Sequence, residues 1–435
     1  MTRRASAWTR LTLSAVALAL ALGALLRPTW PSRAAVASPP LALEFWTVGL
    51  KPKFIPIMQS LVARYQAQHH EVVLEWVDYP WDVLQTKLIT RIVAGKPPAL
   101  VNLNVPRAEE LASDGLIVPV DRLIAAVRND YLPAALHDVT FGGKVYGFPF
   151  YSNVAVVAYN AALFKAAGLH TAPVSLDQQL EFARQIAART GYPGYAPLLG
   201  SIDGFFLQQG LPVLHNQRAA FATPAHVALV TKLAATYRAG GLLKDHLFAE
   251  DNFSAAINAY DNGQLGMLVA PATALRRIQA DAPDIYAVTD VAPAPLGPTG
   301  IADGGWLLHF AVPRGVPPAV MDAAGAFARY LTNDANQLAF AKAANVFPTT
   351  IRAGHDRYFV ALPAAAGPSE RAVLAAAASM PFSHTLYVAG VTDYDELRRV
   401  LVSAVEAGIT GRKDIGAALA DAASIWNRRL AAPLP

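Results

Sequence analysis

The sequence predicts an α/β protein with doubly wound sheets, on the strength of three observations. Short apolar strands alternate with amphipathic helices from residue 41 onward, which is typical of βαβ units and of a mainly parallel sheet. The 398 residues that follow residue 37 (435 minus 37) exceed what one hydrophobic core usually organises, so two domains are expected. The chain has no cysteine, so a disulfide framework and a thiolate metal site are excluded.

Apolar periodicity defines the predicted elements of the first part of the chain. The segments Leu41–Trp46, Val72–Val77 and Leu100–Val105 carry the alternation of strands. Helical spacing predicts helices from Pro56 to Gln68 and from Trp81 to Gly95. Ligands of a doubly wound sheet bind at the carboxyl ends of its strands, so we expect the residues at those ends to face a cleft.

The remainder of the chain repeats this alternation. Gly168 ends one short helix, and a capping box of Ser175 and Gln178 opens the next, which runs to about Thr190. The further predicted elements are a hairpin over 142–149, strands over 154–159, 265–269 and 306–312, and helices over 161–167, 223–238, 255–262, 319–331, 335–343 and most of 394–430.

The N-terminus predicts export. Three arginines and no acidic residue precede the 16-residue apolar run Leu11–Leu26, which is shorter than the roughly 20 residues that a spanning helix needs. The small residues Ala35–Ala37 offer a cleavage site, so residues 1–37 are predicted to be a secretory signal peptide. An uncleaved membrane anchor is the alternative.

The charge of the chain comes from this leader. The whole chain has 36 Lys+Arg and 32 Asp+Glu, but five arginines lie before Ser38, which leaves 31 basic and 32 acidic residues. No concentrated basic patch remains, so neither nucleic acid nor an anionic membrane surface is expected as a partner. Without a cysteine there is no site for a lipid anchor, and a soluble periplasmic protein is predicted.

Several segments together resemble a known family. Gly143–Tyr151, Tyr159-Asn160, Leu163–Leu169 and Ser175–Glu181 have the order and spacing of the signature block of extracellular solute-binding proteins, the family that includes the maltose and glycerol-3-phosphate receptors. The resemblance continues at Gly95–Val101, Glu110–Leu116, Gly263–Met267, Ala292–Pro295, Gly304-Gly305, Ala326–Leu331, Asn345–Pro348 and Gly411–Leu430. Two positions depart from the family pattern: Ala99 replaces a common aspartate and Asn345 a usual glycine, so no single member's ligand is carried over.

The resemblance implies a two-lobed periplasmic-binding-protein fold of type II, with a doubly wound sheet in each lobe and the ligand cleft between the lobes. Strand crossings are expected near Ser152, Leu308 and Phe347. The expected lobes are 41–152 plus 308–347 (N-terminal) and 153–307 plus 348–435 (C-terminal). The implied function is the substrate-binding protein of an ABC importer, a monomer without cofactor that captures an oligo- or disaccharide and delivers it to permease subunits in the inner membrane.

A sugar is bound by flat aromatic faces and by planar amide or carboxylate groups. The expected ligand-binding residues are Trp46, Tyr79, Trp81, Tyr151 and Trp306 for stacking, Asn102, Asn104, Asn153, Asp303 and Asn345 for hydrogen bonding, and Gly304 and Gly305 for close approach of the backbone. Core packing, capping or solvation is the alternative role for each. The loop Gly200–Gly204, with Phe206, Gln208 and Gln209 after it, is also expected at the cleft or in the core.

Other classes of function remain as alternatives. A secreted carbohydrate-active enzyme is one, although the chain lacks a Gly-x-Ser-x-Gly elbow, a His-Glu-x-x-His motif and a Gly-rich phosphate loop. No metal site is predicted, because the ten histidines are scattered. A sensory receptor, or a binding protein for a polyol or a glycerol-3-phosphate-type ligand, would keep the fold. The family-matched cleft segments supply no arginine beyond Arg107, which favours a neutral saccharide.

Overall fold

Two β-sheets of different size organise the computed structural model, which describes residues 39–302, 305–391 and 394–431. The strands are β1 (Leu41–Val48), β2 (Val72–Tyr79), β3 (Leu100–Asn104), β4 (Ile117–Val118), β5 (Thr140–Phe141), β6 (Lys144–Val145), β7 (Phe148–Ser152), β8 (Ala155–Asn160), β9 (Leu214–His215), β10 (Arg218–Ala219), β11 (Met267–Pro271), β12 (Thr289–Pro293), β13 (Leu308–Pro313) and β14 (Phe347–Pro348).

The helices lie between and after these strands, as the alternating pattern predicts. They are α1 (Ile55–Gln66), α2 (Trp81–Val93), α3 (Val105–Ser113), α4 (Asp121–Ile124), α5 (Pro133–Asp138), α6 (Ala161–Ala167), α7 (Leu176–Thr190), α8 (Ile202–Gln208), α9 (Pro224–Arg238), α10 (Phe253–Asp261), α11 (Ala274–Asp281), α12 (Pro283–Ala287), α13 (Pro318–Leu331), α14 (Asp334–Ala344), α15 (Ile351–Gly354), α16 (Arg357–Val360), α17 (Pro368–Ser379), α18 (Tyr394–Ile409) and α19 (Ile415–Leu430). The predicted α/β class is confirmed.

The larger sheet has seven strands, in the order β14-β7-β13-β3-β1-β2, with β4 paired to β13. Strands β1 and β3 are parallel, whereas β13 is antiparallel to both β3 and β7. Strands from late in the sequence therefore enter the sheet built by the first 152 residues. The expected crossing points meet there, since Leu308 pairs with Tyr151 and Phe347 pairs with Ser152.

The smaller sheet corrects one expectation about strand direction. Its three strands have the order β11-β8-β12, and β8 is antiparallel to both neighbours. Alternation of strands with helices predicted a mainly parallel arrangement, but that pattern does not specify direction. Here β11 and β12 run the same way, joined through α11 and α12, and β8 lies between them in the opposite sense.

Local sequence signals set the ends of the helices near β8. Ser175 Oγ accepts a hydrogen bond from the backbone N–H of Gln178 at 3.2 Å, so α7 begins where the capping residues predict. The Gln178 side chain accepts in turn from the N–H of Val174, one residue before the expected partner. Gly168 ends α6 at φ +75°, a left-handed conformation that glycine adopts without a steric cost.

Two separate apolar clusters fill the space around the sheets. One packs α2 and α3 against the larger sheet, around Trp46, Leu88 and Leu103. The other surrounds the smaller sheet and includes Val157 and Trp426. The chain from Ala42 onward is nevertheless one compact unit, so the boundaries of the expected lobes stay a prediction.

Within the described residues, no helix combines the length and the apolar character needed to cross a membrane. The predicted signal peptide lies outside those residues.

Candidate functional site

An open cavity of about 420 Å³ lies beside the smaller sheet, within the size range of small-molecule sites. Strand β11 and helices α8 and α10 contribute eight of its 19 lining residues, and β8, the segments before α8 and α10, and two later segments contribute the others. The lining residues are Ala155, Tyr195, Ala196, Leu198, Ser201, Gly204, Phe205, Gln208, Asp251, Asn252, Phe253, Ala256, Val269, Ala270, Pro271, Gly305, Trp306, Thr385 and Leu386.

Aromatic side chains form one part of the cavity wall. The Trp306 side chain is 49% exposed although it lies between buried neighbours. Phe205 and Phe253 are partly buried, and Tyr195 is almost fully buried. Such rings offer apolar faces, and tryptophan and tyrosine add a polar edge. The cavity can therefore hold a molecule that has both apolar C–H faces and polar groups.

Polar side chains form the rest of the wall. Gln208 Nε2 donates to the Pro295 carbonyl at 3.3 Å, and the buried Asn252 Nδ2 donates to the Pro197 carbonyl at 2.8 Å. The exposed Asp251 accepts from the backbone N–H of Phe253 at 2.8 Å. These contacts orient amide and carboxylate groups, which are the planar groups that pair with hydroxyls.

Helix α8 is fixed in place by a buried carboxylate. Asp203 is only 6% exposed and accepts a hydrogen bond from the Tyr394 hydroxyl. Burial, with the Asp203 charge beside it, raises the pKa of the Tyr394 phenol. Phe205 and Gln208 are three residues apart on the same helix, so they share a face, and both line the cavity.

Two of the expected stacking residues lie on adjacent strands of the larger sheet, Trp46 on β1 and Tyr79 on the edge strand β2, and neither lines the cavity. Trp46 is fully buried, packs edge-on against Tyr79 at 4.8 Å and donates its Nε1–H to Glu44 at 2.7 Å. The Tyr79 ring is partly buried beside the same cluster. The Trp46 ring has no face exposed in this conformation, so its expected stacking on a ligand stays a prediction that this conformation does not support.

Trp81 has the opposite environment. As the first residue of α2 it is 56% exposed, and its Nε1 lies near Gly49. It is absent from the lining of the cavity as far as the described residues define it. Trp81 and Trp306 are the exposed tryptophans of the described chain.

The two asparagines at the end of β3 have structural roles here. Asn102 is fully buried and donates through Nδ2 to the His309 carbonyl at 3.1 Å. Asn104 accepts the backbone N–H of Arg107 at 3.1 Å and so caps α3. The expected contact of Asn102 with the ligand stays a prediction, although the side chain is buried here, and its Oδ1 has no partner among the described residues.

Tyr151 and Asn153 lie where the chain passes from β7 to β8. The Tyr151 ring contacts Phe150 and Phe340, and burial raises the pKa of its phenol. The Asn153 carbonyl accepts from the backbone N–H of Trp306 at 3.3 Å. Its side-chain Oδ1 is buried and unpartnered among the described residues.

The Gly-Gly segment expected beside a ligand is only partly described. Asp303 and Gly304 lie outside the described residues, whereas Gly305 and Trp306 line the cavity. A Cβ added at Gly305 would lie 2.3 Å from the backbone carbon of His384. The close approach that requires glycine at this position is therefore that of the chain itself.

Asn345 ends α14 in the left-handed conformation, at φ +59°. The family's usual glycine is the residue best suited to this geometry, and asparagine is the next most tolerant. Its Oδ1 also accepts from the Tyr358 hydroxyl at 3.2 Å. The substitution is thus explained by a helix end.

The cavity contains residues that the sequence analysis missed. Phe205, Phe253, Asn252 and Thr385 carry no motif. The loop after Gly200 did carry a signal, and its three candidates separate: Gln208 lines the cavity, Phe206 is fully buried, and Gln209 lines an adjacent small depression.

One further segment, Ser383–Val388, is named here the strap because it connects the cavity with helices near the larger sheet. Thr385 donates through its hydroxyl to the Gly305 carbonyl and through its backbone N–H to Asp138 at 2.8 Å. His384 lies 2.9 Å from Asp138, and Tyr387 lies beside Glu109. Burial raises the pKa of the Glu109 carboxyl, and the hydrogen bond with Asp138 raises the pKa of the His384 imidazole.

Comparison with known proteins agrees with this architecture. The family model described as bacterial extracellular solute-binding protein matches residues 60–365. The crystal structure of a candidate oligosaccharide periplasmic-binding protein from Synechococcus sp. MITs9220 superposes with a TM-score of 0.79 at 30% identity, over 90% of this chain and 100% of that one. The two-lobed fold that the sequence predicted is thereby confirmed.

Two curated relatives match over shorter stretches. A candidate binding protein of Brucella abortus (strain 2308) is 24% identical over 255 residues, which are 56% of this chain and 61% of that protein. A mannitol-binding protein of Pseudomonas aeruginosa is 29% identical over 132 residues, or 30% of each chain. The match thus spans less than two thirds of either relative.

Proposed function

Because the chain belongs to the bacterial extracellular solute-binding proteins, we propose that it is the substrate-binding protein of an ABC sugar importer and captures an oligo- or disaccharide. The observation that carries this proposal is the 420 Å³ cavity, in which an exposed tryptophan faces a set of amide and carboxylate groups. The similarity to an oligosaccharide-binding candidate supports the same class of ligand.

The proposed stacking residue is Trp306, with Phe205 and Phe253 around it. Gln208, Asp251 and Asn252 are the proposed partners of the sugar hydroxyls. The predicted N-terminal candidates Tyr79 and Trp81 are proposed to meet the ligand from the other lobe, since they lie at the carboxyl ends of strands or just beyond them. Asn104, Tyr151 and Asn153 stay candidates at the crossing strands.

The proposed mechanism is closure of the two lobes. The lobes are proposed to comprise 41–152 plus 308–347, and 153–307 plus 348–435. Ligand contacts from both sides would favour the closed state, and the permease would recognise that state. Such binding shifts an existing equilibrium and catalyses no reaction. A binding role also accounts for a cavity whose carboxylate, Asp251, already caps the backbone of α10.

The proposed site of action is outside the inner membrane. The family is extracellular, and residues 1–37 are proposed to be the signal peptide that directs export. Permease subunits of the importer are the proposed partners, and the protein is proposed to act as a monomer.

A polyol is the second candidate ligand. The similarity to the mannitol-binding protein of Pseudomonas aeruginosa favours it, because a linear polyol presents the same hydroxyls to amide and carboxylate groups. It offers less continuous C–H surface to an aromatic ring than a pyranose. A polyol should therefore depend less on Trp306 than a saccharide does.

The decisive experiment is a titration of the chain from Ser38 onward, followed by its tryptophan fluorescence. Mono-, di- and trisaccharides, mannitol and glycerol phosphodiesters form the panel. We expect saturation with one saccharide and loss of the signal in Trp306→Ala, with His246→Ala, which alters an exposed residue outside the cavity lining, as the control. Saturation by mannitol alone would favour a polyol over a saccharide as the ligand. Formation of a product in the cuvette would favour an enzyme over a binding protein.

A further inference from the structure

Three potential metal ligands converge where α5 meets the strap. His137 and Asp138 end α5, and His384 approaches them from 246 residues further along the chain. Asp138 Oδ1 lies 2.9 Å from His384 Nδ1 and 3.7 Å from His137 Nδ1. One donor atom from each residue falls within a group that spans no more than 4.8 Å.

These distances suit a small divalent cation. Zinc binds nitrogen and carboxylate oxygen at about 2.0–2.2 Å, so neighbouring ligands of a tetrahedral site lie roughly 3.3–3.5 Å apart. The observed separations of 2.9 and 3.7 Å bracket that value. Two imidazoles and one carboxylate are also a ligand set that zinc takes in preference to magnesium or calcium.

The Asp138 carboxylate is already oriented for such a role. Its Oδ2 accepts the backbone N–H of Thr385 at 2.8 Å, while Oδ1 faces the two imidazoles. The carboxylate is only 7% exposed, and its ion-pair partners among the described residues are those two histidines. A buried carboxylate without a permanent positive charge beside it is costly, and a bound cation would remove that cost.

Access to the cluster is open on one side. The His137 side chain is 80% exposed, so its ring can turn toward an incoming ion. His384 is 29% exposed and is held against His137 edge-on, with ring centroids 5.3 Å apart. A water molecule would take the fourth position of a tetrahedral ion.

We propose that His137, Asp138 and His384 form a zinc site that joins the end of α5 to the strap. Zinc bound there links residues 137–138 to residue 384 by direct coordination. The neighbouring residues Thr385 and Leu386 line the cavity. The ion therefore fixes the segment that forms one wall of the cavity.

The test is a zinc titration of the tag-free chain from Ser38 onward, after removal of metals with a chelator. Isothermal calorimetry should give one zinc per chain. Because His137 is exposed, His137→Ala should fold normally and weaken zinc binding at least about tenfold, as loss of even an outer partner of a metal ligand does. His384→Ala and Asp138→Asn should weaken it similarly.

A matched control is available in the same chain. Asp245 and His246 are also an adjacent acid–histidine pair, 3.9 Å apart and exposed, and no third ligand joins them among the residues that the structure describes. His246→Ala should leave zinc binding unchanged. Cobalt should show the visible absorption of tetrahedral coordination in the wild type and lose it in His137→Ala. Unchanged zinc affinity in His137→Ala and His384→Ala, or equal loss in His246→Ala, would overturn the proposal.

A second measurement links the site to the cavity and rests on the proposed function. Zinc should change the affinity for whichever saccharide saturates the fluorescence signal, and His137→Ala should abolish that effect. Failure of every sugar to bind, with zinc binding intact, would count against the sugar receptor only. Loss of zinc binding in His137→Ala would support the zinc site whether or not the chain binds a sugar.

Discussion

The region around Trp46 and Asn102 in the larger sheet and the cavity beside β11 both contain a tryptophan and amide side chains. These side chains are buried in the first region and accessible in the second. Trp46 is fully buried and its N–H is bonded to Glu44, whereas Trp306 is 49% exposed. Asn102 is buried against the His309 carbonyl, whereas Gln208 lines an open cavity. The same residue types thus serve as core in one region and line an open cavity in the other.

Coverage of the sheet explains the difference. A strand inside a sheet that is covered on both faces buries all of its side chains, so alternation does not separate an exposed face from a buried one. Trp46 lies on the face opposite Phe45, and both are fully buried. Trp306 precedes β13, outside the ladder, where the chain leaves room for solvent.

The largest effect on stability should come from removing the buried tryptophan, Trp46. Trp46→Ala should lower the free energy of unfolding by about 3–5 kcal/mol, because it leaves a cavity between α2 and the larger sheet. Chemical denaturation would measure the change. Trp306→Ala removes an exposed ring, so its free energy of unfolding should be close to that of the wild type. A loss as large as that of Trp46→Ala would show that Trp306 is as much part of the core as Trp46.

The second-largest effect should be a loss of stability at acid pH, caused by the buried His309 in the larger sheet. Burial lowers the pKa of His309 to about 3, and both ring nitrogens lack partners among the described residues. His309 of the unfolded chain binds a proton near pH 6.5, whereas His309 of the folded chain stays neutral until about pH 3. The free energy of unfolding should therefore fall as pH drops from about 6.5 to 3, by up to roughly 1.4 kcal/mol per pH unit.

Variants of two histidines would isolate this effect. His309→Gln removes the titrating group and should flatten the dependence of the free energy of unfolding on pH, whatever its stability at neutral pH. His246→Gln alters an exposed histidine and should keep the wild-type slope. Equal slopes in the wild type and His309→Gln would show that His309 does not refuse the proton.

The exposed side of the comparison should appear in ligand affinity. Trp306→Ala should weaken binding of the identified saccharide by about 2 kcal/mol, or roughly 30-fold, as expected for a central aromatic contact. Fluorescence or calorimetric titration would measure it. Trp81→Ala tests the proposed contact from the other lobe, and an unchanged affinity in this variant would remove Trp81 from the proposed ligand contacts.

The smallest effect should come from the asparagine that the sequence assigned to the ligand. Asn104→Ala removes the cap of α3 and should cost about 1 kcal/mol of stability. Thermal unfolding would detect it, and Asn104→Ser should restore most of the loss. A change in sugar affinity without any change in stability would favour Asn104 as a ligand contact over its role as a helix cap.

Local signals predicted the elements better than the site. The cap at Ser175 and the end at Gly168 follow from short-range chemistry, so the sequence contains them. The cavity combines segments near residues 195–208, 251–256, 269–271, 305–306 and 385–386, which no spacing rule connects. The proposed metal ligands Asp138 and His384 are likewise 246 residues apart, so nothing in the sequence indicated that His384 lies beside His137 and Asp138.

Strand direction was also beyond the sequence pattern. Strand β8 runs antiparallel to β11. The side chains of a strand alternate between the two faces of the sheet in the same way whether its neighbour is parallel or antiparallel, so the alternation does not reveal the direction. The resemblance to a family, and not periodicity, directed attention to Ser152, Leu308 and Phe347, which lie on neighbouring strands of one sheet. That the chain crosses between lobes at these residues stays a prediction.

The strap would limit the proposed movement of the two lobes. On one side it is bonded to Asp138 and lies beside Glu109, while on the other Val388 and Val391 pack into the cluster around the smaller sheet. A rotation that separates α3 and α5 from that cluster must either release these bonds or extend the few residues between the anchors. The length of this short tether, rather than the three crossing strands alone, would then set how wide the cleft opens.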